Sequence, residues 1–164
     1  MNSKVIMIGA GVANVNAATK LIDEGYKGKI TIIDMGKDPY LRPYEEVMTG
    51  FLGAGGWSDG KLTYHTSIGG HLSKYCGEEK AMELMDSVIE WHIGTDYLHE
   101  IGKNWYTHLT DNGVDFMWNT KVTDINFNYN YLSYINQESK RTFADKMDYN
   151  RLIFGVGKSG IDFG

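Results

Sequence analysis

"KVIMIGAGVANVNAATKLIDEGYKGKITIID", residues 4–34, decides the fold. Residues 4–8 are a short apolar run with β-branched members, bounded by Gly9, as a strand buried on both faces requires. After Gly9-Ala10-Gly11, the residues Val12, Val15, Ala18, Leu21 and Ile22 recur at helical spacing, and Gly25 or Gly28 stands where that helix should end. Residues 29–34, "KITIID", form a second apolar strand that closes on an acid. Strand, glycine turn, helix and strand in so short a span predict a βαβ unit with a right-handed crossover. The chain is therefore expected to be α/β, built on a parallel sheet.

The turn inside this unit reads Gly9-Ala10-Gly11-Val12-Ala13-Asn14, a dinucleotide fingerprint except that Asn14 stands where the third small residue belongs. In such a turn the first glycine makes the bend and the second lets backbone approach a pyrophosphate. The helix N-terminus adds free N–H groups and partial positive charge. Asp34, ending the second strand, sits where a carboxylate accepts hydrogen bonds from a ribose. The same two glycines also fit a plain strand-to-helix turn. Asn14 is expected either to push the helix outward or to turn its amide toward a phosphate.

Outward from this unit, residues 35–78 read as mostly irregular, with a helical turn near Tyr44 to Met48 and a glycine-dense stretch, "GFLGAGGWSDGK", at 50–61. From Glu78, "EEKAMELMDSVIEWHIG" puts Ala81, Leu84, Met85, Val88 and His92 on one helix face. A second amphipathic helix aligns Tyr97, Leu98, Ile101, Trp105 and Leu109, with Asn112-Gly113 ending it. "VDFMWNTKVTDINFN", "YLSYINQ" and "RTFADKM" read as short strands of a meander, and "RLIFGVG" as one more buried strand. The predicted order is βαβ, loop, two helices, meander, strand.

Composition limits the function classes. The chain has 164 residues with 42% hydrophobic and 23% charged, which suits one globular domain. A net charge of −5 argues against nucleic acid as a broad-surface ligand. No apolar run is long enough to span a membrane, and no signal-peptide layout is present, so no membrane association is expected. Cys76 is the one cysteine, which excludes an intrachain disulfide and fits a reducing, cytoplasmic setting. His65, His71, His92, His99 and His108 show no HxH, HExxH or CxxC spacing, so no metal site is expected. No residue stands out as a general base or nucleophile, and the catalytic residues are unknown.

The stretch "GFLGAGGWSDGKLTYHTSIGGHL", residues 50–72, resembles one family: FAD-dependent dehydrogenases that carry a GxGGxxSDGK segment shortly after an N-terminal dinucleotide fold. "VIMIGAG" with Asp34 after it, "IGGHL", and "RLIFGVGKSG" extend the resemblance over most of the chain. It implies a Rossmann-like FAD/NAD(P)-binding parallel sheet with a helical excursion and a small β-meander, spanning residues 1–164 as a single domain. It implies FAD as cofactor, with Gly9 and Gly11 on the pyrophosphate, and Ala13 and Asn14 at the same helix start. Asp34 would meet the ribose, with Lys37 beyond it in the cofactor set. Gly55, Gly56, Ser58, Asp59 and Lys61 would lie along the flavin, where glycines permit close approach and the polar side chains meet the ring edge. Lys61 would favour a reduced, anionic ring. Trp57 suits either stacking on a ring or filling the core.

Two departures accompany the match: Asn14, and a chain that stops at "GKSGIDFG" where the family continues into a substrate domain. The expectation is a naturally shortened flavoprotein whose apolar strands remain partly uncovered, and hence a homo-oligomer or protein complex, with Tyr129 to Tyr134 as the first candidate surface. Two other classes fit the same residues. One is a non-catalytic binding or inhibitor protein, for example from a mobile element, that reuses the fold; the other is a nucleotide sensor without redox chemistry.

Overall fold

Alternation along the strands sets the layers. In the computed structural model of the chain, which describes residues 3–46, 48–53, 65–66, 71–89, 98–139 and 143–157, the β1 strand (Lys4–Ile8) pairs in parallel with β2 (Lys29–Ile33). Val5 and Met7 of β1 point to one face with Ile30 and Ile32 of β2, and Ile6, Ile8 and Ile33 point to the other. Between them α1 (Val12–Asp23) buries Val15 and Ala18 on the first face, as the helical spacing predicts. Gly25, at φ +75°, ends it, its N–H donating to the Ile22 carbonyl.

Two further strands complete the parallel sheet, in the order β3-β2-β1-β7. β3 is Val114–Met117 and β7 is Arg151–Phe154. The run 114–128, read from sequence as one strand of a meander, is instead divided. Asn119, at φ +50°, turns the chain after β3, so that residues 120–126 leave the parallel sheet as β4 (Thr120–Asn126). β4, β5 (Tyr131–Asn136) and β6 (Asp145–Asp148) form an antiparallel meander.

Between β2 and β3 lie α2 (Leu72–Cys76), α3 (Glu78–Ile89) and α4 (Leu98–Asp111). Sequence periodicity anticipates α3 and α4 but not the single turn of α2. α4 sets Trp105 and Leu109 into the first face, and the Trp105 indole N–H donates to Thr19 of α1 at 2.7 Å. That bond satisfies the polar edge of a ring that is 1% exposed. On α3 only part of the predicted face is covered: Ala81 is buried, whereas Leu84 is 40% exposed.

The second sheet face is closed by the meander, with Leu132 and Tyr149 buried against Ile6, Ile8 and Ile33. Helices thus cover one face of β1 and β2 and the meander the other, while β7 stays partly uncovered, with Leu152 and Ile153 half-buried and Phe154 45% exposed. Of the tyrosine-rich segment, Tyr131 and Tyr134 are half-buried, while Phe127 and Tyr129 at the β4–β5 tip are exposed. Among the described residues, no helix is long and apolar enough to cross a membrane.

Candidate functional site

Because all four strands of the first sheet run the same way, their carboxyl ends collect Gly9, Asp34, Trp118 and Gly155 on one edge. β2 and β7 flank β1 on opposite sides, which makes the end of β1 a switch point, the place where open α/β sheets receive ligands. The chain passes this point through two glycines with different reasons for being glycine.

Gly9 adopts φ +95°, and a Cβ there would lie 2.6 Å from the Gly155 carbonyl oxygen. Backbone packing alone therefore demands glycine. Gly11 is different. It caps α1 with ordinary extended geometry, φ −69° and ψ 170°, and a Cβ would meet only the Gly155 oxygen, at 3.4 Å. Nothing in the described protein fills the space that its missing side chain leaves. Gly11 contributes no side-chain cap, and the first turn of α1 carries no acid, so its N-terminal partial charge is left uncompensated from within the helix. Ala13 is exposed at this same helix start.

Asn14 is 1% exposed, and its amide donates to the carbonyls of Ile8 (3.0 Å) and Gly9 (2.8 Å). It does not reach outward toward a phosphate, because its donors are used on the chain's own turn. Room for it comes from Gly155, where a Cβ would lie 2.5 Å from the Asn14 side chain.

Asp34 gathers the loops around the turn. One carboxylate oxygen accepts from the Ala10 N–H at 2.7 Å; the other accepts from Gly36 N–H at 2.7 Å and Gly50 N–H at 2.9 Å. A carboxylate offers about four acceptor positions, so these bonds leave about one for a ligand hydroxyl. The Asp34 backbone is tied as well, its N–H to Met117 and its carbonyl to the Thr120 N–H. Asp34 thus joins the β1 turn, the loop after β2 and the start of the meander.

The loop from 35 to 53 folds back over this edge. Gly36 and Gly50 are in backbone contact, and the Leu52 N–H donates to the Ala10 carbonyl at 2.8 Å, so that residues 50–52 run beside the first turn. Phe51 packs edge-on against Tyr106 and Phe116, with ring centroids 5.3 and 5.8 Å apart. The Tyr106 hydroxyl donates to Asp38 at 3.0 Å and accepts from the Trp118 indole N–H at 3.2 Å. Burial holds the Tyr106 phenol above its ordinary pKa, opposed by the Trp118 bond and supported by Asp38. Lys37 is not aimed at the turn: its ammonium pairs with Glu46 at 2.7 Å.

Arg42 is the residue that sequence reading missed. It is 6% exposed, donates to the Thr49 carbonyl, and lies close enough to Asp34 to feel its charge; burial lowers its pKa and Asp34 opposes that. "PYLRP" shows an arginine between prolines but no sign that it is buried. Gly155 was visible only as part of a terminal strand. The structure brings together Gly9, Gly11, Ala13, Asn14 and Asp34. Gly55, Gly56, Ser58, Asp59 and Lys61 lie outside the described residues, as do Trp57, His92, the stretch 67–70 and the 158–160 turn. Among the described residues, no group of three or more His, Cys, Asp or Glu is placed to hold a metal.

No protein-family model matches the chain. A protein of Clostridium beijerinckii described as uncharacterized is 26% identical over 178 aligned positions, covering 99% of this chain and 32% of that one. A flavoprotein/dehydrogenase from Cytophaga hutchinsonii matches structurally over 95% of this chain and 40% of its own, at 16% identity and a TM-score of 0.54. A water-forming NADH oxidase from Lactobacillus brevis, solved bound to NADH, matches over 95% of this chain and 25% of its own, at 13% identity and a TM-score of 0.52. At these identities the likeness establishes the fold, a Rossmann-like sheet of the kind found in FAD- and NAD(P)-dependent oxidoreductases. The chain spans about a third of the length of its sequence relative, and less than half of these solved proteins.

Proposed function

We propose that this chain is the nucleotide-holding part of an FAD-dependent flavoprotein, with the cofactor's ADP portion at the carboxyl edge of the parallel sheet. The observation that carries the reading is Gly11. Its backbone does not need glycine and the described residues do not fill its space, which suits a pyrophosphate lying against the N-terminus of α1. Asp34 then offers its remaining acceptor position to a ribose hydroxyl, while Gly9 and Asn14 hold the turn from behind. Bound FAD would supply redox chemistry at its isoalloxazine ring, and this chain's part is to bind and orient it. Gly55, Gly56, Ser58, Asp59 and Lys61 belong to this proposal as the flavin-end residues, on the strength of the sequence resemblance.

The test is direct. The purified chain should be yellow, or become so with FAD, and calorimetry should return binding of both FAD and ADP. A colourless protein that binds neither would end the flavoprotein reading. Binding of ADP and FAD with equal affinity would reduce it to a nucleotide-binding domain that makes no use of the flavin.

A further inference from the structure

We propose that Asn14 is a positioning residue that sets the Asp34 carboxylate through the backbone of the turn, and that Gly155 is its required small partner. The consequence for nucleotide affinity rests on the reading above; the strut itself does not. In a trans peptide the C=O and N–H point in opposite directions, so fixing one end aims the other. Two successive peptides here are held at both ends. In the peptide between residues 8 and 9, the Ile8 oxygen accepts from Asn14 at 3.0 Å and from the Gly155 N–H at 2.8 Å, while the Gly9 N–H donates to Ile33 at 2.8 Å. In the peptide between residues 9 and 10, the Gly9 oxygen accepts from Asn14 at 2.8 Å, and the Ala10 N–H donates to Asp34 at 2.7 Å.

The chain of contacts therefore runs from the Asn14 amide through one rigid peptide to the carboxylate. A glycine at this position would permit close helix packing but could not supply it. The space needed by the larger side chain has been taken from the neighbouring strand instead. A Cβ on residue 155 would come within 2.5–2.6 Å of every heavy atom of the Asn14 amide, which cannot retreat without losing its two bonds. Asn14 and Gly155 thus form one unit across α1 and β7.

The test uses amide hydrogen exchange by NMR on the nucleotide-free protein, with Met7 and Ile32 as core references, followed by ADP titration. In Asn14→Ala, exchange at Ala10 should rise about tenfold relative to the references, the equivalent of one lost hydrogen bond. ADP binding should weaken by about the same factor, since Asp34 loses its alignment. Gly155→Ala should destabilise the wild-type background but be tolerated beside Asn14→Gly, and that double variant should fold even where Asn14→Ala does not. Ala10 exchange that tracks the references in Asn14→Ala, or in the folded double variant, would overturn the proposal. Equal cost of Gly155→Ala in both backgrounds would do the same, as would wild-type ADP affinity in Asn14→Ala. A wild-type protein that binds no ADP would overturn the nucleotide reading alone, and the strut would then stand or fall on the exchange and coupling results.

Discussion

Replacing each glycine of the turn by alanine separates a glycine kept for the protein from one kept for a ligand. At Gly9 the backbone lies at φ +95°, which costs an L-residue about 1–2 kcal/mol. The new Cβ would also stand 2.6 Å from a backbone oxygen of Gly155, and moving β7 to relieve that adds about 1–3 kcal/mol. Gly9→Ala should therefore lower stability by about 2–5 kcal/mol. At Gly11 the geometry is already open to alanine, and the nearest non-neighbour atom would be at 3.4 Å. Loss of freedom in the unfolded chain favours alanine by about 0.4–1 kcal/mol, but alanine is a poorer N-cap than glycine by a similar amount, so stability should change little. A methyl group there nevertheless occupies the space assigned to pyrophosphate, so ADP and FAD should bind at least ~10-fold more weakly, about 1.4 kcal/mol. Urea denaturation and calorimetry on both variants provide the comparison. Gly11→Ala with unchanged ADP affinity, or with a stability loss above about 1 kcal/mol, would refute the reasoning, since Gly11 would then serve the fold or nothing.

Asp34→Ala removes three backbone-to-carboxylate bonds at a half-buried site, and water can replace only part of them. Stability should fall by about 2–4 kcal/mol and ADP affinity by about 1–3 kcal/mol; unchanged values in both assays would remove Asp34 from the site. Tyr106 has a folded-state pKa raised above its unfolded value, so its contribution is complete below the unfolded pKa and is lost as pH rises toward the folded one. Denaturation curves above about pH 10 should fall more steeply for wild type than for Tyr106→Phe; parallel curves would show that the phenol does not couple to folding. Lys61→Ala should weaken FAD more than ADP, and an equal loss of both would place that segment away from the flavin. Light scattering should return a dimer that Tyr129→Ser converts to monomer. A monomeric wild type would remove the oligomer expectation.

The βαβ unit and its turn were legible because every signal was local: apolar runs, glycines and an acid, all within residues 4–34. Asp34 was placed at the site for the same reason, although its bonds to Gly36 and Gly50 depend on a loop with no periodic pattern. Asn14 could be recognised as unusual but not explained. Its counterpart, Gly155, lies at the far end of the chain, and no local rule links the two. The split of 114–128 was hidden because both halves have strand-like composition, and only the turn at Asn119 divides them. Arg42 was missed because burial of a charged side chain follows from loop folding, which composition does not encode.

The pairing of β1 with β7 also orders events in time. Lys4 bonds to Asn150, 146 positions later, and the first turn is packed by the Gly155 carbonyl. A ribosome adding about 5–20 residues per second takes roughly 7–30 s to cover that gap. Throughout that interval the nascent chain has its glycine turn and α1 but lacks the strand that packs against them. Any ligand of the turn must therefore be taken up only after residues 151–155 have been made. The nascent β1 edge meanwhile waits for a neighbour, which makes this period of synthesis the one in which the chain most needs protection from mispairing.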